Sequence, residues 1–184
     1  PTVKEIELRI NSPGGDVFDG FAIYNRLKQH PAKVTCYIDG LAASIASLIA
    51  LAADEIIMGE GALYMIHLPW TMAMGNRMDL DNTVNRLMDV EEQMISVYAK
   101  KTGKSRTEIR EMLEKETWMD ADQAIEEGFV GSKAEETVPI AASILENSSW
   151  ITKKPKMKTK EDCVRQEIEN LKNRVSGFIA RDKK

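Results

Sequence analysis

Residues 42–53, AASIASLIALAA, are all small or apolar, and almost nothing in the stretch is suited to face water. Such a segment makes a poor surface helix and a good buried one. The run just upstream, VTCYI at 34–38, is β-branched and aromatic and reads as a strand, with Asp39-Gly40 as the turn between them. The rest of the chain therefore has to be organised around a buried strand–turn–helix unit. Ser44 stands at the start of that helix. There, free backbone N–H groups and the positive end of the helix dipole favour a developing negative charge. A serine at this junction is either a helix cap or a nucleophile, and the segment alone does not decide between them.

The 184 residues, 43% of them apolar, are enough for one domain with a real core plus an appendage. No apolar run reaches the ~18 residues that a membrane span needs, and no secretory signal is visible. The two cysteines, Cys36 and Cys163, fit no disulfide or metal pattern and suit a reducing compartment. With two histidines, His30 and His67, a histidine-rich metal site is not expected. Charge is uneven. Residues 1–149 hold 14 Lys and Arg against 24 Asp and Glu, a net of −10, whereas residues 150–184 hold 11 against 5, a net of +6. The tail is a different kind of segment from the body.

Residues 3–10 alternate apolar and charged side chains as a strand does, and Asn11-Ser12-Pro13-Gly14-Gly15 ends it. The two glycines make either a plain turn or a loop that brings a backbone N–H close to a reacting oxygen. Residues 16–29 carry a helical apolar face. His30 beside Pro31 reads as a solvated histidine at the helix end. Residues 54–58 and 62–67 read as further short strands. The second ends at His67, a satisfied core residue when taken alone. Residues 70–78 are irregular and 79–101 form a long helix. Ser105 and Glu108 make a capping box for a helix over 106–114. Trp118-Met119 reads as a turn, 122–127 as a last short helix and 129–131 as a strand. Strand–helix alternation through residue 130 predicts an α/β body with a largely parallel sheet. The linker is expected around 150–159. Over 160–180, Val164, Ile168, Leu171, Val175 and Phe178 repeat at spacings of four and three, the seam of a short coiled coil.

Ser44, His67 and a later carboxylate offer the parts of a hydrolytic triad. These are a hydroxyl at a helix start, an imidazole to take its proton, an acid to orient the imidazole, and amides near Ile45 and Gly14-Gly15 for an oxyanion. On these residues the chain resembles the ClpP family of caseinolytic serine peptidases. The match is carried by INSPGG at 10–15, GLAASIA at 40–46, MIHLP at 65–69 and WMDADQAIEEG at 118–128, together with the spacings between them.

The resemblance implies a ClpP/crotonase-like α/β fold, a parallel sheet with helices, to which a C-terminal helical tail is added. It implies Ser44 as nucleophile, His67 as general base, and Gly15 and Ile45 as donors of the oxyanion-hole amides. The family's triad acid lies two residues before the aromatic of the last motif. That position is Glu116 here, where aspartate is commoner in the family, and Asp120 and Asp122 are the substitutes. No cofactor and no metal are implied. Asp16-Val17-Phe18, Trp118-Met119 and the wording after Pro69 are closer to the phage and prophage branch, which implies a head maturation protease. The partners implied are copies of the same chain in a heptameric ring, stacked in pairs through the helix over 79–101, with an AAA+ unfoldase or phage capsid proteins, a protein or peptide as substrate, and a cytoplasmic setting. No membrane partner is implied.

The expected domains are a protease domain over 1–140, a linker over 141–159 and a basic amphipathic helical tail over 160–184. The family's segment before Asn11 is longer, so part of the fold's N-terminal region is expected to be missing from this stretch. Two other classes compete. A crotonase-like acyl-CoA enzyme would share the fold without needing a serine nucleophile. A non-catalytic ring-forming scaffold would use the basic tail to bind capsid protein, and nucleic-acid binding by a tail with so few aromatic residues is not expected.

Overall fold

The computed structural model describes residues 3–134, which lie within the first of two units, Pro1–Val138 and Pro139–Lys184. The linker and the basic helix expected beyond residue 140 lie outside the described residues. The observed order is β1 (Glu5–Ser12), α1 (Val17–Lys28), β2 (Lys33–Ala43), α2 (Ile45–Ala50), β3 (Glu55–Met58), β4 (Leu63–Ile66), α3 (Arg77–Thr102), α4 (Arg106–Glu114), β5 (Thr117–Met119), α5 (Ala121–Glu126) and β6 (Ser132–Lys133).

β2 is the spine of the sheet. β1 runs parallel to it along one edge, from Glu5 opposite Lys33 to Ser12 opposite Ala42. Along the other edge β2 passes from β3, paired at residues 35–38, to β4, paired at 41–43. β6 extends the sheet beyond β3. Every second residue of β2 turns inward, so Val34, Cys36 and Ile38 are buried. Burial pushes the Cys36 thiol up to about 12, so this cysteine is packing rather than a nucleophile.

The architecture is α/β with helices, as the resemblance implied, and the sheet is largely parallel as expected, with one antiparallel pairing at its margin that makes it mixed. β5 runs antiparallel to β4, with Ile66 opposite Thr117 and Tyr64 opposite Met119. Trp118-Met119, read above as a turn, belongs to this strand. The short strand expected over 129–131 starts later, at Ser132. There is no turn at Asp39-Gly40, because β2 continues through both residues. Asp39 accepts from the Arg9 guanidinium on the neighbouring strand at 3.0 Å. A side chain at Gly40 would press on the Asn11 amide oxygen at 3.0 Å, so this glycine serves close approach between strands. Leu41–Ala43 are consequently strand, and the helix predicted over 42–53 is shortened to Ile45–Ala50.

What remains of that helix is buried as expected: Ile45, Ala46, Ser47, Leu48 and Ala50 are inaccessible. α1 crosses it closely. Gly20 is buried on α1, and a Cβ there would fall 2.1 Å from Cγ1 of Ile45. α4 carries the predicted capping box, Ser105 with Glu108. α3 begins two residues before the predicted start, because Asn76 and Asp79 form a capping box of their own. Its 26 residues make a rod of about 39 Å. Only its C-terminal half enters the core, through Val90, Met94, Ile95 and Tyr98. Met78, Leu80, Val84 and Met88, in the other half, are exposed. Tyr64, Tyr98 and Phe129 close the core as a ring cluster, with centroids 5.4 and 5.9 Å apart at Phe129.

Candidate active site

Three chain segments meet at the C-terminal end of parallel strands: the loop after β1, the junction of β2 with α2, and the residue after β4. The first contributes Gly14, whose φ of 98° a side chain rarely adopts. A Cβ there would also lie 2.7 Å from the Cβ of Ser44 and 2.9 Å from the Ala43 carbonyl oxygen. Glycine at 14 is required for this loop to lie against the serine. At Gly15 the space is open, because it faces a cleft of about 440 Å³.

Ser44 occupies the second junction at φ 56° and ψ −132°. This is a sparsely populated conformation for a non-glycine residue and has to be held by its surroundings. The Ser44 N–H donates to the Met65 carbonyl at 2.9 Å, and its carbonyl accepts from the Ser47 N–H at 3.0 Å. The capping alternative fails here, since the Ser44 hydroxyl makes no cap hydrogen bond. It lies instead 2.8 Å from Nε2 of His67, the residue that follows β4. Both side chains are half-buried on the cleft wall. His67, ambiguous in the sequence, is thus brought to the serine by the pairing of β2 with β4.

Ile45 and Gly15 flank this pair in the same cleft. Neither backbone N–H finds an acceptor among the described residues. Two donors beside a hydroxyl–imidazole pair can receive an oxyanion.

Glu116 is exposed, at φ 52°, and accepts from the Trp118 indole at 3.5 Å. Glu116 immediately precedes β5 and His67 immediately follows β4, and the pairing of these strands reaches Ile66–Thr117. The two substitutes are engaged elsewhere. Asp120 is the N-cap of α5 and accepts from the Gln123 N–H at 2.9 Å. Asp122 pairs with Lys133 at 2.7 Å.

The far wall of the cleft is one stripe of α3: Thr83, Arg86, Leu87, Val90 and Met94. With Trp70 and Met72 it makes a wall that is mostly apolar, with Thr83 and Arg86 as its polar members. Sequence reading assigned none of these residues to the site. It also missed the polar support under Ser44. The Ser47 hydroxyl lies 2.6 Å from the Ser44 carbonyl oxygen and 2.8 Å from the Tyr98 hydroxyl, and the Tyr64 hydroxyl donates to the Ser47 carbonyl at 2.6 Å. A lone serine inside an otherwise apolar helix was the available signal. His30, read as a solvated helix-end residue, is exposed and accepts from the Ala32 N–H through Nδ1. Among the described residues no cluster of His, Cys, Asp and Glu could hold a metal ion, and no helix is long and apolar enough to cross a membrane.

The family pattern described as Clp protease matches residues 2–137. The chain belongs to the Clp protease family. Among its relatives in that family is the ATP-dependent Clp protease proteolytic subunit 1 of Protochlamydia amoebophila, 34% identical over 131 residues, which are 69% of this chain and 64% of the relative. The protein of the same description from Chlamydia muridarum is 35% identical over 125 residues, 66% of this chain and 65% of the relative. That from Chlamydia abortus is 34% identical over 125 residues, with the same coverage. The chain therefore spans just under two thirds of the length of these Clp protease relatives.

Proposed function

We propose that this chain is a serine endopeptidase in which Ser44 is the nucleophile, His67 the general base and Glu116 the orienting acid. The observation that carries the reading is the 2.8 Å contact between Ser44 Oγ and His67 Nε2, made by a serine at positive φ on a strand-to-helix junction. Nε2 takes the hydroxyl proton as Oγ attacks the peptide carbonyl. The carbonyl oxygen becomes an oxyanion beside the Ile45 and Gly15 amides. His67 then returns its proton to the leaving amine, and water releases the acyl group by the same steps in reverse. Glu116 is the acid in this reading because β5, which it precedes, pairs with the strand that ends before His67, whereas Asp120 caps α5 and Asp122 pairs with Lys133. A serine hydrogen-bonded to an imidazole also favours peptide hydrolysis over the crotonase-like alternative, whose enolate chemistry needs no such nucleophile.

The substrate in this reading is a polypeptide lying along the α3 wall of the cleft. Its finer form is a phage head maturation protease in the cytoplasm. Assembly is part of the proposal, because the exposed apolar half of α3 is suited to burial against other copies, in a heptameric ring or a stacked pair of rings. An AAA+ unfoldase is the partner proposed for such a ring. The protease domain is proposed to end near residue 140, before the linker and the basic helical tail.

The test is turnover of a fluorogenic peptide library by the full chain, with Ser44→Ala and His67→Ala beside it and the mass of each assembly measured by light scattering. Hydrolysis lost by at least 10³-fold in both variants, at unchanged assembly mass, supports the reading. Hydrolysis that survives Ser44→Ala removes it.

A further inference from the structure

Beneath the nucleophile lies a buried polar chain that the catalytic roles assigned above do not use. Ser47, Tyr64 and Tyr98 are all inaccessible to solvent. The Ser47 hydroxyl has one proton, and the Ser44 carbonyl oxygen at 2.6 Å can only accept, so that proton is given to Ser44. The Tyr98 hydroxyl at 2.8 Å must then donate to Ser47 Oγ. Tyr64, from β4, donates to the Ser47 carbonyl at 2.6 Å. Burial raises both phenols above their ordinary range, which keeps them donors at working pH. The proton order runs Tyr98 to Ser47 to Ser44, from α3 through α2 to the nucleophile.

The last acceptor matters because of what is bonded to it. The Ser44 carbonyl and the Ile45 N–H belong to one peptide unit, which is planar and trans. In that geometry the N–H points opposite to the C=O. The Ser44 carbonyl is held from the α2 side by two donors, the Ser47 N–H at 3.0 Å and the Ser47 hydroxyl at 2.6 Å. Fixing it fixes the rotation of the whole plane, and so the direction of the Ile45 N–H toward the cleft. Hydrogen bonds in series also polarise one another, so a doubly hydrogen-bonded carbonyl makes its own N–H a stronger donor.

We infer that Ser47, backed by Tyr98, is a positioning residue that aims the Ile45 amide at the oxyanion of the peptidase reaction. The inference rests on the proposed peptidase reading. It acts on the transition state, where the oxyanion exists, and not on the bound substrate.

The experiment compares wild-type full-length chain with Ser47→Ala, Ser47→Thr and Tyr98→Phe. For each, kcat and KM are measured on one cleaved peptide, and affinities for a peptide boronate, which forms the tetrahedral adduct, and for an uncleavable peptide of the same sequence. Removing an oxyanion donor outright costs 10²–10³ in kcat, so misaiming one predicts a fall of about 10- to 100-fold for Ser47→Ala, with KM within about twofold. The boronate should weaken by a similar factor while the uncleavable peptide does not. Tyr98→Phe, which removes one hydroxyl and no packing volume, should fall in the same direction by less. Ser47→Thr, which keeps the hydroxyl, should recover most of the rate. Variants that lose thermal stability but keep kcat and the boronate-to-peptide affinity ratio overturn the inference and leave Ser47 a core residue. A wild-type chain that neither cleaves the peptide nor takes the boronate overturns the peptidase reading itself, and this inference with it.

Discussion

At the scale of single residues, the candidate site is made by two backbone positions as much as by its side chains. Gly14 and Ser44 both sit at positive φ, and Gly14 lies so close to Ser44 that a side chain at 14 would collide with it. The carboxylates separate by what already holds them. Glu116→Gln is expected to lower kcat by less than Ser44→Ala does, since the acid orients the base and breaks no bond. Asp120→Ala is expected to leave kcat unchanged and to cost about 1 kcal/mol of stability, the worth of an N-cap, read from the denaturation midpoint. The reverse pattern would make Asp120 the acid. From the residues alone Ser44, His67 and the glycines each kept two readings, and only the resemblance joined them into one site; the 2.8 Å contact of Ser44 with His67 depends on the pairing of β2 with β4, which no local pattern shows. Ser47 was not legible, because its meaning depends on Tyr98, 51 residues away, and no local period joins them.

At the scale of elements, Ser105 with Glu108 marked the start of α4, whereas the capping boxes of Asn76 with Asp79 and of Asp120 with Gln123 went unread and left α3 and α5 displaced by one or two residues. The failures in the strands share one cause. β2 runs through Asp39-Gly40 because β1, β3 and β4 supply partners along its whole length, and tertiary pairing overrides a local turn signal. β5 has three residues, too few to show a period of two, and its antiparallel partner is far away in sequence. The crossing of α1 over α2 was equally invisible, although it places Ile45, the residue after Ser44. Gly20→Ala would put a methyl group where Ile45 Cγ1 now lies. The expected result is a loss of about 1–3 kcal/mol from overpacking, together with lower peptidase activity, because Ile45 cannot move without moving its amide. Stability lost with activity per folded molecule intact would show that α2 tolerates the displacement.

At the scale of the whole molecule, α3 does two things with its two halves. Its C-terminal half closes the core, while its N-terminal half lines the cleft through Thr83, Arg86 and Leu87 and presents Met78, Leu80, Val84 and Met88 to the outside. Such a row of apolar side chains is suited to contact with other copies. The double variant Val84→Glu, Met88→Glu should therefore lower the assembly mass in light scattering while circular dichroism stays that of the parent. Unchanged mass would move the interface elsewhere. The measurement that bears most directly on the central claim is the intact mass of the chain after reaction with a fluorophosphonate, followed by mapping of the modified peptide. One adduct per chain, on Ser44, and a rate at least 10²-fold slower in His67→Ala, is the predicted result. An unmodified chain, or an adduct on any other residue, would contradict it.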